Sequence, residues 1–78
     1  MPITYSKSVL KQIKGEKISW DEIDSALVTP DSVSHDHDGN TIAQKRVGQN
    51  ILRIVYKMDA GSKNVLKAHK SIMNDQRA

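Results

Sequence analysis

The chain has 78 residues, a formal net charge of +3 and no cysteine. One domain fits that length, and its core must be compact, because so short a chain buries only about 60% of its unfolded surface. Disulfides and thiolate zinc sites are excluded, and no run nears the roughly 18 apolar residues that span a bilayer.

Met1-Pro2-Ile3-Thr4 leads into polar sequence without an apolar signal-peptide core, so a cytoplasmic protein with no membrane partner is expected. The basic balance, with a sequence pI near 9.3, points to an acidic partner, nucleic acid first. One Trp, two Tyr and no Phe leave few platforms for base stacking.

Tyr5, Val9, Leu10 and Ile13 recur at helical spacing, predicting a helix from Tyr5 to Lys14 with Gly15 as its stop. Lys7, Lys11 and Lys14 form a stripe on its far side, which is either a solvated face or a ridge for phosphates. Ser19-Trp20-Asp21-Glu22 is a capping box, with Ile18 and Ile23 at staple spacing. It opens a second helix that ends near Thr29, because Pro30 disfavours helical geometry before it. Trp20 is expected to pack at the core or its rim.

Asp31 to Ser34 begins a first strand. His35-Asp36-His37-Asp38-Gly39-Asn40 offers imidazoles and carboxylates and imitates a calcium-binding loop. Ser34 would fall at the first ligand position and Lys45 at the twelfth, where a bidentate Glu is needed. Neighbouring strand residues also point to opposite faces. The expectation is therefore a hairpin turn, with no metal and no cofactor; the alternative reading is weak, adventitious metal binding.

Thr41 to Val47 reads as the second strand, and Gly48-Gln49-Asn50 turns the chain. Ile51 to Met58 is the longest strand-forming run. It should lie centrally, with Leu52, Ile54, Tyr56 and Met58 on one face and Ile51, Arg53, Val55 and Lys57 on the other. Asn64 to Lys70 is open to two readings. Val65, Leu66, His69, Ile72 and Met73 fit a helical period, while Asp59-Ala60-Gly61-Ser62-Lys63 is a good hairpin connection into a strand. Ser71 to Ala78 is read as a polar tail.

Ile18-Ser19-Trp20-Asp21-Glu22-Ile23, Ala26-Leu27-Val28-Thr29-Pro30-Asp31, Asp38-Gly39-Asn40 and Leu52-Arg53-Ile54-Val55-Tyr56, in that order, resemble a family of small bacterial domains. That family is similar to the RelE/ParE/BrnT toxin superfamily, and the resemblance spans about residues 5 to 70. It implies an α+β fold, two N-terminal helices on a mainly antiparallel sheet of about four strands, and it favours the strand reading of Asn64 to Lys70. It also implies a toxin of the toxin–antitoxin kind, with an antitoxin protein and RNA as partners. Cleavage would then need a base for the 2′-hydroxyl and cations for the phosphate.

Related members carry a His and two Arg on the first helix where this chain has Ser8, Gln12 and Glu16. The remaining catalytic candidates are Arg53 as phosphate clamp, His69 as acid or base, and Tyr56. The nucleic-acid-binding candidates are Lys7, Lys11, Lys14, Arg46 and Lys57. The competing expectation is a non-catalytic module that binds a protein partner through its sheet. A homodimer through the sheet would also suit so small a core.

Overall fold

The computed structural model describes residues 3–72. Its order is β1 (Ile3–Tyr5), α1 (Lys7–Gly15), α2 (Trp20–Val28), β2 (Ser32–His35), β3 (Thr41–Val47), β4 (Asn50–Asp59) and β5 (Ser62–Ile72). The strands form one mixed sheet in the order β1-β5-β4-β3-β2, with β4 in the middle. Two helices on a sheet agree with the expected α+β class, but there are five strands rather than about four.

The added strand is β1, which pairs in parallel with β5 through Ile3–Lys63, Thr4–Asn64 and Tyr5–Val65. Tyr5 therefore belongs to a strand and not to α1. The helix starts later because Ser6, in an extended conformation, accepts a bond from the Val9 amide at 3.2 Å and caps it.

The end of α1 also differs from expectation. Gly15 is its last helical residue, and the left-handed position falls two residues on, at Lys17 (φ 55°). Ile18 N–H donates to the Ile13 carbonyl at 3.0 Å and Lys17 N–H to the Lys14 carbonyl at 3.4 Å. This is a Schellman ending, and its apolar pair is Ile13 and Ile18, both buried. The expected capping box opens α2: Glu22 N–H donates to Ser19 Oγ at 3.1 Å and Ser19 N–H to Glu22 Oε1 at 3.0 Å. Two lysine ammoniums close its C-terminus, Lys45 Nζ donating to the Thr29 carbonyl at 2.7 Å and Lys63 Nζ to that of Leu27 at 3.2 Å.

Asn64 to Lys70 is strand, although its apolar period suits a helix. Ala60 and Gly61 both have positive φ (51° and 83°), the geometry of a tight primed hairpin turn that returns the chain along β4. Pairing then runs the length of β4, from Asp59–Ser62 to Asn50–Ile72. The strand takes in Ser71 and Ile72, the first two residues of the expected tail; the rest of that tail lies outside the described residues.

Alternation divides the sheet into two faces. Leu52, Ile54, Val65 and Ala68 lie under the helices and meet Val9, Ile13, Ile18, Ile23, Ala26 and Leu27 in one core. Burying such side chains contributes about 1.5–3 kcal/mol each for the larger ones. Met58 shares the parity of Leu52 but is 47% exposed, a departure from the expected buried row. Trp20 stays at the rim, 55% exposed, its ring edge-on to Tyr5 at 5.1 Å.

Candidate functional site

Among the described residues, the other face of the sheet carries no helix. Register places its side chains in rows across the strands: Arg46–Ile51–Ser71, then Gln44–Arg53–His69, then Ile42–Val55–Lys67, then Lys57–Asn64–Thr4. Neighbouring strands lie about 4.8 Å apart and successive rows about 6.7 Å. Arg53 thus sits at the centre with His69 directly beside it.

A β-bulge adjusts this face. Val55 pairs with Lys67 and Tyr56 with Val65, leaving Leu66 as the extra residue. Leu66 and Lys67 both line the open side, so an aliphatic and a cationic side chain are presented together.

Among the described residues, the outer edge of β5 is paired with β1 only at Lys63, Asn64 and Val65. Beyond that, α1 supplies acceptors for its amides. Ala68 N–H donates to Gln12 Oε1 at 3.2 Å and Lys70 N–H to Glu16 Oε1 at 2.9 Å. Gln12 and Glu16, one helical turn apart, therefore blunt an edge that would otherwise be open. The Glu16 carboxylate also meets His69 Nδ1, with its two oxygens at 3.0 and 3.2 Å. The Lys70 amide, ahead of the smaller effects of His69 and against partial burial, holds the Glu16 carboxyl below its usual 4.5. An ionised Glu16 accepting from Nδ1–H leaves Nε2 as the basic nitrogen of a neutral His69. The same corner is tied to α2, because Lys70 Nζ lies 3.0 Å from Glu22 Oε1.

The β2–β3 hairpin tip closes one end of the face. Asp36 Oδ1 accepts from the Asp38 and Asn40 amides, both at 2.9 Å, and its Oδ2 from Asn40 Nδ2 at 3.1 Å. These bonds, the Asn40 amide foremost, keep the Asp36 carboxyl below its usual range. The expected turn forms with Asp36 as its organiser, and Gly39 takes the left-handed position at φ 83°. Among the described residues no group of three or more metal-ligating side chains comes together. Between this tip and β5 lies a cleft of about 520 Å³, floored by Ile42, Val55 and Leu66 and flanked by Arg53, Lys67 and His69. Two smaller clefts of about 220 Å³ lie at the other end of β3, beside Arg46.

The residues singled out by sequence are thus divided. Arg53 and His69 are neighbours. Lys57 and Arg46 share their face but stand in the outer rows. Tyr56 does not join them. Its ring is on the helix side, packed against the core, with Lys63 Nζ 5.1 Å above it. Lys7, Lys11 and Lys14 are exposed on α1, in the opposite layer.

No sequence pattern marks a carboxylate as the partner of His69; the one that meets it is Glu16. It lies 53 residues away, and no spacing rule announces the pair. Lys67 and Leu66 were also missed, though alternation with His69 would have found Lys67 once the segment was taken as strand. No protein-family model, curated protein or solved structure matches the chain.

Proposed function

We propose that the chain is a toxin-like protein of the toxin–antitoxin kind that binds RNA on the open sheet face and cleaves it. The observation that carries this reading is the Glu16–His69–Arg53 line, a histidine held by a carboxylate beside an arginine. Glu16 fixes the ring, and His69 Nε2 takes the proton of a ribose 2′-hydroxyl. The 2′-oxygen attacks phosphorus as the bond to the 5′-oxygen breaks, and water protonates the departing oxygen. The Arg53 guanidinium, with Lys67 nearby, stabilises the charge gathered on the phosphate. A 2′,3′-cyclic phosphate and a 5′-hydroxyl result.

Induced expression should arrest growth, and a neighbouring antitoxin gene should relieve the arrest. Arg53→Ala and His69→Ala should each abolish it while the circular dichroism spectrum stays unchanged. Harmless wild-type expression would sink this reading.

A second reading is a non-catalytic module that uses the same face for a protein partner. The half-buried aliphatics Ile42, Ile51, Val55 and Leu66, set among the charges, favour it. It expects a stable complex in a pull-down, broken by Val55→Asp, and no RNA cleavage.

A further inference from the structure

We infer that the cleft seats a guanine base, with the Asp38 carboxylate reading its N1–H and N2–H donors. This rests on the cleft being the RNA site. Its volume, about 520 Å³, lies within the range of roughly 300–1,000 Å³ typical of small-ligand pockets. Its composition is divided in the way a nucleotide is. Ile42, Val55 and Leu66 form an aliphatic floor for the flat face of a base, and the bulge sets Leu66 and Lys67 on that side in succession. Arg53 and His69 border that floor where the sugar and phosphate would lie.

The opposite rim is acidic, which suits a base edge and opposes a phosphate. Asp36 and Asp38 are not equivalent there. Both oxygens of Asp36 are engaged within the turn. The carboxylate of Asp38 bonds to no other described residue, although its amide helps to hold the turn. A free carboxylate is acceptor only, with two oxygens side by side. Among the four bases, guanine alone places two N–H donors next to each other on its Watson–Crick edge. In adenine and cytosine the amino group adjoins a ring acceptor, and in uracil the single N–H lies between two carbonyls. Each of those sets a lone pair against the carboxylate. A guanosine so bound puts its own 2′-hydroxyl and 3′-phosphate beside His69 and Arg53, so the cut falls on its 3′ side.

The test is a titration of the whole protein with the four nucleoside 3′-monophosphates, followed through backbone amide resonances. Guanosine 3′-monophosphate should bind roughly tenfold or more tightly than the other three, moving the signals of Ile42, Val55 and Leu66. Asp38→Asn, which suits the same turn, should bring it down to their level. Equal affinity for all four, no binding, or a guanine preference that survives Asp38→Asn would overturn the inference. Base-indifferent RNA cleavage would remove the guanine site and leave the ribonuclease. Selective binding of guanosine 3′-monophosphate by a protein that arrests nothing would do the reverse.

Discussion

The two faces of the sheet are made from the same strands by alternate residues, yet they obey different rules. On β4, Leu52 and Ile54 are fully buried under the helices, while Arg53, between them, is exposed on the opposite face. The covered face is held by hydrophobic burial, which is local, summed over many contacts and indifferent to direction. The open face gains its order from directional bonds at its margins: Asp36 at the hairpin tip, Gln12 and Glu16 at the β5 edge. A small domain can thus keep one side of its sheet uncovered when polar side chains from another layer secure the border.

The largest expected contrast is between neighbouring positions on one strand. Leu52→Ala should cost about 2–5 kcal/mol, the transfer loss plus the cavity it leaves. Val55→Ala, three residues on but facing the cleft, should cost less than about 1 kcal/mol. Urea unfolding of the two variants measures the difference, and similar costs would mean that the open face is covered in solution.

The next contrast concerns the margin. Gln12→Ala leaves the Ala68 amide without its acceptor and should cost about 1 kcal/mol. Glu16 and Glu22 both have carboxyls held below their usual value, Glu16 chiefly by the Lys70 amide and Glu22 chiefly by the Ser19 amide. Groups of that kind stabilise the fold at pH above their unfolded value, near 4.5, and lose the effect as pH falls through their lower folded values. The urea midpoint should therefore drop on acidification below about pH 4.5. A Glu16→Gln, Glu22→Gln variant should be less stable at pH 7 and show a flatter profile. An unchanged acid profile would show that these bonds do not form in solution.

The smallest effect has the opposite sign. Lys17 occupies a left-handed position that favours glycine, so Lys17→Gly should raise stability by up to about 1 kcal/mol. A thermal melt detects it as a rise of a few degrees.

Much of the covered face was legible in the sequence. The Ser19–Glu22 box, the alternation from Ile51 to Lys57 and the Asp38-Gly39-Asn40 turn are local patterns, and each forms where its local chemistry places it; Met58, exposed at the end of its row, is the exception. Reading failed where distant segments meet. Ile3–Tyr5 has no strand pattern of its own and becomes a strand because β5 offers it an edge. Gly15 looked like the stop of α1, but the apolar contact of Ile13 with Ile18 moved the left-handed position to Lys17. At the site, Arg53 followed from alternation and His69 from its place on a strand. Tyr56 has the wrong parity for that face, and Glu16 belongs to a helix whose bearing on β5 no periodicity reports.

The bulge at Leu66 carries one more consequence. Val65 and Ala68 enter the core on either side of it, and His69 stays opposite Arg53. Shortening the strand by that single residue would restore strict alternation without turning any other side chain over. The ladder therefore tolerates a gain or loss of length at this one point, and the breadth of the cleft floor can be edited there while the hydrophobic layer beneath keeps its phase.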